Sequence, residues 1–216
     1  MPPEAAYDLL SKAAQSLLPN RLVLAFDTSA AHCAAALLSG GQVRALCAEP
    51  MAKGQAERLM PMIADMLARQ GVGFRDLSCV CVGTGPGNFT GIRISVALAR
   101  GLALGLGVRA VGVTGFEAVS HAGGLAGPHW VVIDAPRGQV YAQRFGFGDA
   151  AMIVDAGTVF DAPVLRGGDL SPGQIAQAVA EVGWHKAQTP QPRPAPFYLR
   201  GADAAPPTDP APVILP

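Results

Sequence analysis

The chain has little charge and few aromatic side chains: 15% of its 216 residues are Asp, Glu, Lys or Arg, and 6% are Phe, Trp or Tyr. Its 16 basic residues are matched by 16 acidic ones, so the basic excess of a protein that grips a nucleic acid unaided is missing. Cysteine is sparse. Cys33, Cys47, Cys79 and Cys81 form no C-x-x-C pair and no Cys/His group at zinc spacing, so they read as small core residues in a reducing compartment rather than as a redox or metal site. The histidines, His32, His121, His129 and His185, lie far apart. With Ser29, Ser95 and Ser120 they make no sequence-level catalytic constellation, and no G-x-S-x-G nucleophile elbow is present. No stretch reaches the roughly 20 uninterrupted apolar residues of a membrane span. The N-terminus lacks a charged segment followed by an apolar one, so a secretion signal is not expected. A cytoplasmic protein is the expectation.

Half of the residues are hydrophobic, enough for one large domain or two small lobes. With so few charges, much of the surface is expected to be small and apolar, which points to a protein partner. The chain is organised around Gly83 to Arg93, G-T-G-P-G-N-F-T-G-I-R. A buried strand, Cys79 to Val82, breaks into a loop containing Gly83, Gly85, Gly87, Gly91 and Pro86, and an Ala-rich helix runs from about Thr90 to Leu106. Glycines let a backbone or a ligand approach closely, and the unpaired N–H groups of a helix start suit an anion. Thr90 is the expected N-cap, and Arg93 stands one turn in. The loop is neither a P-loop nor a dinucleotide fingerprint, because its glycines fall as G-x-G-x-G and no Gly-Lys-Ser/Thr follows. A phosphate-binding loop and a tight strand-to-helix turn without ligand both fit it.

Four regions are expected: a weakly helical extension at 1–20, a first lobe at 21–127, a shorter second lobe at 128–200, and a proline-rich tail at 201–216. The first lobe opens with a strand from Arg21 to Asp27, then strands from Cys33 to Leu38 and Gln42 to Ala48 joined at Gly40-Gly41. Asp27 either holds a hydrated Mg²⁺ or caps its own turn. A helix over Gly54 to Arg69 carries an apolar stripe of Leu59, Ile63, Met66 and Leu67, flanked by Met60 and Met62. The helix after the glycine loop stacks Ile94, Leu98 and Leu102 on one face and Ala97, Gly101 and Gly105 on the next. Glycines four apart in a helix cost about 1 kcal/mol each relative to Ala. They are best explained by close approach of another helix, either that of Gly54 to Arg69 or one from a second subunit. Val108 to Val113 is a further strand, and Thr114 caps the next helix. Beyond the glycine-rich joint Gly123 to Pro128, the second lobe repeats the pattern. Strands are expected over Trp130 to Asp134, Gln139 to Phe147 and Met152 to Phe160, then a helix from Pro172 to about Val182. The segment from Pro190 to Pro216 holds 9 of the 19 prolines and cannot be regular helix or a central strand.

The Gly83 to Arg93 string closely resembles the G-x-G-P-G-S-F-T-G-x-R signature of the bacterial TsaB (YeaZ) family, with Asn88 in place of its Ser. Two further motifs resemble that family: Asp134, Ala135, Arg137, Val140 and Tyr141, with Gln139 for its Glu, and Pro196, Tyr198, Leu199 and Arg200, where Tyr198 is the expected anchor. In the helix motif that ends in Leu59-Met60-Pro61, Gln55 replaces the family's His. The resemblance implies a two-lobed α/β protein of the actin/Hsp70/sugar-kinase type, a duplicated ribonuclease-H-like fold with the second lobe shortened. It further implies a non-catalytic scaffold that pairs with TsaD, and works with TsaE, in threonylcarbamoyl transfer to the tRNA adenosine beside the anticodon. The chain alone is then expected to form a homodimer and to meet tRNA only through the complex. By the same resemblance the pairing surface comprises Leu59, Met62, Ile63 and Met66 on one helix and Ile94, Ala97, Leu98, Gly101, Leu102 and Gly105 on the other. No catalytic residue and no metal ligand are expected. Asp27, Gly85, Gly87, Thr90 and Arg93 form at most a vestigial ATP/ADP and Mg²⁺ site, with the TsaD interface as the other place for a nucleotide. An ATP-dependent phosphotransferase of the same fold is the alternative function, and a glycoprotease-like peptidase a third.

Overall fold

The structure, a computed structural model, describes residues 21–200. The helix expected over 1–20 and the tail at 201–216 lie outside these described residues.

β1 (Leu22–Asp27), β2 (His32–Ser39) and β3 (Gln42–Pro50) form an antiparallel meander. β4 (Leu77–Gly83) joins the other side of β1 in parallel, and β5 (Arg109–Val113) pairs parallel to β4. The resulting five-stranded sheet has the order β3-β2-β1-β4-β5. Every residue of β1 is buried, as a strand central to a sheet covered on both faces requires. Leu22, Leu24 and Phe26 enter one core, and Val23 and Ala25 the other.

Two helices cover the first face. α1 (Gln55–Arg69) contributes Leu59, Met62, Ile63, Met66 and Leu67, and α2 (Phe89–Leu106) contributes Ile92, Val96 and Ala99. By length and mean hydropathy, 1.4, α2 would pass for a membrane span. It carries Arg93 and Arg100, however, and one of its faces lies in the core.

β6 (His129–Ala135), β7 (Gln139–Phe145) and β8 (Met152–Asp155) repeat the antiparallel meander, and β9 (Val164–Arg166) joins β6 in parallel. The order β8-β7-β6-β9 reproduces the first four positions of the larger sheet, without a fifth strand. This is the actin/Hsp70/sugar-kinase architecture, two ribonuclease-H-like sheets with the second cut short. The third strand of this sheet ends at Asp155 rather than at the expected Phe160, and β9 is a three-residue strand that the sequence patterning missed.

α3 (Gly115–Gly123) covers one face of the second sheet through Phe116 and Val119. Thr114 caps it as expected, in a capping box with Glu117. α4 (Pro172–Lys186) follows the second sheet in sequence but packs on the first, where Ala176, Val179 and Ala180 meet Val23 and Ala25. Its Gly183 lies directly over Cys81, whose sulfur would sit 2.4 Å from an added Cβ. A division between residues 127 and 128 therefore separates the strands of the two sheets but not the helices that cover them.

Candidate functional site: an inter-lobe cleft and an open helix face

The two sheets flank a cleft of about 990 Å³. Its inner end is built from the β1–β2 turn and the glycine loop. Asp27, 2% exposed, closes the turn on itself: its Oδ1 accepts from Ser29 N (2.9 Å), Ser29 Oγ (2.8 Å) and His32 Nε2 (2.9 Å). Its Oδ2 lies against Gly83, where a Cβ would come within 1.8 Å. Through Oδ1 the carboxylate has the character of an Asx cap. His32 belongs to this turn without any periodicity in the sequence to announce it.

Gln55, at the start of α1, is buried and donates through Nε2 to the carbonyls of Ala30 (2.7 Å) and His32 (2.8 Å). The residue that departs from the family's His is the brace of the turn.

The glycine loop packs on this turn rather than leaving room beside it. A Cβ on Gly87 would lie 2.2 Å from Ser29 O, and one on Gly91 would lie 1.9 Å from Thr28 O. Asn88 N donates to Ser29 O (2.6 Å), and Thr28 Oγ1 donates to Gly91 O (2.6 Å). The N-cap of α2 is Asn88 and not Thr90: Asn88 Oδ1 accepts from Thr90 N (3.0 Å) and Gly91 N (3.1 Å), while Thr90 is exposed. Asparagine wins the position because its side-chain carbonyl, just before the helix, reaches the N–H groups two and three residues on. Arg93 also points elsewhere. Its guanidinium lies over the Phe89 ring, 3.7 Å from the centroid, and Nε donates to Tyr198 Oη (2.9 Å). Of the expected phosphate residues, Gly85 and Gly87 lie in the loop, the N–H groups of Thr90 and Gly91 are taken by Asn88, and Arg93 is turned to Phe89 and Tyr198. The side-chain hydrogen bonds of Asp27 all fall on Oδ1. The close packing of Gly87 on Ser29 and of Gly91 on Thr28 narrows this end of the cleft.

The C-terminal segment forms one wall. Phe197 N donates to Thr84 O (2.8 Å), Phe197 meets Phe116 edge-on, and Tyr198 stacks on Phe89 at 4.6 Å, the anchor that its motif implied. Arg200 Nη2 donates to Gln139 Oε1. Gln139, like Gln55 and Asn88, is thus a departure from the family's motif with an internal hydrogen-bond role.

A second Ser/His pair, Ser120 and His129, lies away from the cleft lining. His129 Nδ1 is 2.8 Å from Gly127 O and so carries the hydrogen, leaving Nε2 to accept from Ser120 Oγ (2.8 Å). It fastens α3 to the first strand of the second sheet. Among the described residues, no group of three or more His, Cys, Asp and Glu side chains is gathered as for a metal ion.

The expected pairing surface divides in two. Leu59, Met62, Ile63 and Met66 are between 0% and 4% exposed, because the stripe of α1 is spent on the sheet. Buried in the first core, they are corrected from interface to core. Ile94, Leu98 and Leu102 are half-buried and pack against the same core. Ala97, Gly101 and Gly105 face outward, and a Cβ on either glycine would meet nothing within 4 Å. Of the two expected neighbours for these glycines, the chain's own helix is therefore excluded. Leu104, 82% exposed, continues the face.

A duplicated sheet, a first turn that caps itself and a glycine loop packed on that turn define a two-lobed member of the actin/Hsp70/sugar-kinase class. Residues 48–206 match the family described as TsaD, tRNA N6-adenosine threonylcarbamoyltransferase. The chain is 38% identical over 95 residues to the tRNA threonylcarbamoyladenosine biosynthesis protein TsaB of Escherichia coli (strain K12), covering 43% of this chain and 39% of that one. It is 35% identical over 175 residues to an uncharacterized protein of Mycobacterium tuberculosis (strain ATCC 25618 / H37Rv), covering 72% of this chain and 79% of that one. The structure of YeaZ from Pseudomonas aeruginosa superposes with a TM-score of 0.67 at 24% identity, over 83% of this chain and 100% of that chain. The chain belongs to the TsaB (YeaZ) family. It spans 39% to 44% of the length of the E. coli and Haemophilus influenzae TsaB proteins.

Proposed function

We propose that this chain is a non-catalytic partner in the formation of N6-threonylcarbamoyladenosine on tRNA. It would act by binding a TsaD-type transferase, with TsaE joining the complex and tRNA reaching it only there. Family membership supports the pathway. The observation that carries the scaffold reading is the outward face of α2: Ala97, Gly101 and Gly105 present bare backbone on a helix already anchored in the core. Small residues let two helix backbones approach closely, and the adjacent exposed Leu104 supplies apolar area to bury. In isolation the same face serves a homodimer. The narrowed inner end of the cleft supports a role without intrinsic phosphoryl transfer, so a nucleotide bound to the assembly belongs at the interface with the transferase. A cytoplasmic location goes with this reading.

The test is to mix the chain with its host's TsaD-type transferase, follow mass by light scattering, and assay threonylcarbamoyl transfer to tRNA with TsaC, TsaE and ATP. A stable complex, and modification that depends on this chain, is the expected result. Gly101→Leu and Leu104→Glu would then prevent pairing without lowering Tm. Leu98 is unsuitable for this test, because it packs against the core and a charge there would damage the fold. Unaltered association of both variants would remove the α2 face from the interface.

A further inference from the structure

The cleft between the sheets measures about 990 Å³, the size of a small-molecule site. Its walls are largely apolar and aromatic, with Ile133, Leu170 and Phe197 among them. Two polar side chains in that lining, Tyr141 and His32, are 6% and 7% exposed, and each keeps one polar atom without a protein partner.

Tyr141 stands on β7 directly across from Ile133 of β6. A buried tyrosine hydroxyl ordinarily finds a hydrogen-bond partner. Tyr141 Oη has none among the described residues, yet it is not shut off from water. The partnerless side-chain atoms that are shut off are Arg144 Nε and Arg200 Nη1. Because Tyr141 is otherwise buried and lines the cleft, the cleft is the opening that reaches its hydroxyl.

His32 begins β2 on the other lobe. Its Nε2 lies 2.9 Å from Asp27 Oδ1, which only accepts, so in the neutral ring Nε2 carries the hydrogen and Nδ1 a lone pair. Nδ1 also has no protein partner among the described residues and is open to water. The ring lines the cleft from the first lobe, as Tyr141 does from the second.

These two atoms set what the cleft can recognise. His32 Nδ1 calls for an N–H or O–H donor, and Tyr141 Oη takes either a donor or an acceptor. The walls between them call for an apolar or aromatic body. Net charge is disfavoured. Besides His32, the charged side chains of the lining are Asp134 and Arg200, which are opposite in sign, and Arg200 Nη2 is turned to Gln139. A charged ligand would lose its water to apolar walls without a counter-ion of its own.

We propose that the cleft binds a small uncharged aromatic compound that carries a hydrogen-bond donor at one end and an amide-like group at the other, bridging His32 Nδ1 and Tyr141 Oη. The site rests on the cleft alone and not on the role in tRNA modification, so either can fail without the other.

The experiment uses the full chain and three probes. Indole-3-acetamide has both polar ends, 1-benzothiophene-3-acetamide replaces the ring N–H by sulfur, and indole-3-acetate replaces the amide by a charge. Binding is followed by calorimetry and by amide shifts in 1H–15N spectra. Indole-3-acetamide is expected to bind with a Kd of about 1 mM or tighter, and about fivefold more tightly than either analogue. The shifts are expected around His32, Ile133 and Tyr141. Tyr141→Phe removes an oxygen that no protein group uses, so Tm should stay the same while indole-3-acetamide binds about fivefold more weakly. The preference for the ring N–H should survive in that variant, because it resides on His32. No binding of indole-3-acetamide would overturn the proposal, as would equal binding of either analogue or shifts confined to other surfaces. Unchanged affinity in a folded Tyr141→Phe chain would overturn it too. The comparison of the three probes on the unaltered chain decides the matter even if the variant fails to fold.

Discussion

Thr28, in the β1–β2 turn, and Gly91, in the first turn of α2, are locked together. Thr28 Oγ1 donates a 2.6 Å hydrogen bond to the Gly91 carbonyl, and Gly91 presses so closely on Thr28 that an added Cβ would lie 1.9 Å from its carbonyl oxygen. The contact leaves no room between the two segments. Gly91→Ala is therefore expected to lower stability by about 1–3 kcal/mol through overpacking, since the atom that must give way is backbone. Urea unfolding followed by circular dichroism measures it. An unchanged midpoint would mean that the two segments are separable.

Gly101 gives the opposite expectation. It sits in the interior of α2 with nothing within 4 Å of a Cβ. Gly101→Ala should raise the stability of the isolated chain by about 0.5–1 kcal/mol, by limiting the unfolded backbone and favouring helix. It should also weaken pairing through the α2 face. A variant more stable alone and poorer in association separates folding from partner binding. Analytical ultracentrifugation beside thermal melts reads both in one preparation.

These two glycines also mark what the sequence made legible. The strands of both meanders were legible as apolar runs, the first of each ending in Asp27 or Asp134, and the duplication was visible in that repetition, whereas the order of strands within each sheet and the short β9 were not. The stripe on α1 was correctly seen as apolar. Helical periodicity states that a face is buried but not against what, and Leu59, Met62, Ile63 and Met66 proved to be spent on the sheet. The glycine loop was located correctly, but its partner was not. Contacts such as those of Gly87 with Ser29 and Gly91 with Thr28 join residues about 60 positions apart, and no local pattern encodes them. The roles of Gln55 and Gln139 are hidden for the same reason, whereas Asn88 as the cap and His32 as a partner of Asp27 are local contacts that the sequence reading missed. The paired identity of Arg200 and Gln139 was latent in two motifs that were both recognised, without a sign that they touch.

Asp27 tests the assignment of the first turn. Its Oδ1 satisfies Ser29 N, Ser29 Oγ and His32 Nε2. Asp27→Ala leaves these donors without their acceptor and is expected to cost about 1–3 kcal/mol. Because the carboxylate is a structural cap, threonylcarbamoyl transfer supported by the folded variant should stay near that of the unaltered chain, measured below the variant's melting range. Loss of all transfer with the fold intact would instead give Asp27 a chemical part.

Cys33 offers a pH-dependent check on the first core. Its thiol is 0% exposed and is pushed up to about 11, chiefly by burial and then by the Glu49 carboxylate nearby. The folded chain thus favours the neutral thiol more than the unfolded chain does. The stability associated with that preference is fully present below the ordinary thiol value of 9.0 and is lost as pH rises from there towards about 11. Urea midpoints at pH 8 and pH 10.5 should therefore fall for the unaltered chain. They should fall less for Cys33→Ala, which removes this group while leaving Cys47 and Cys81, both also raised, in place. The same burial should leave Cys33 slow to react with iodoacetamide at neutral pH, where little thiolate exists. Fast alkylation of Cys33 in the native chain, or an identical pH slope in Cys33→Ala, would mean that the packing of β2 against α1 opens in solution.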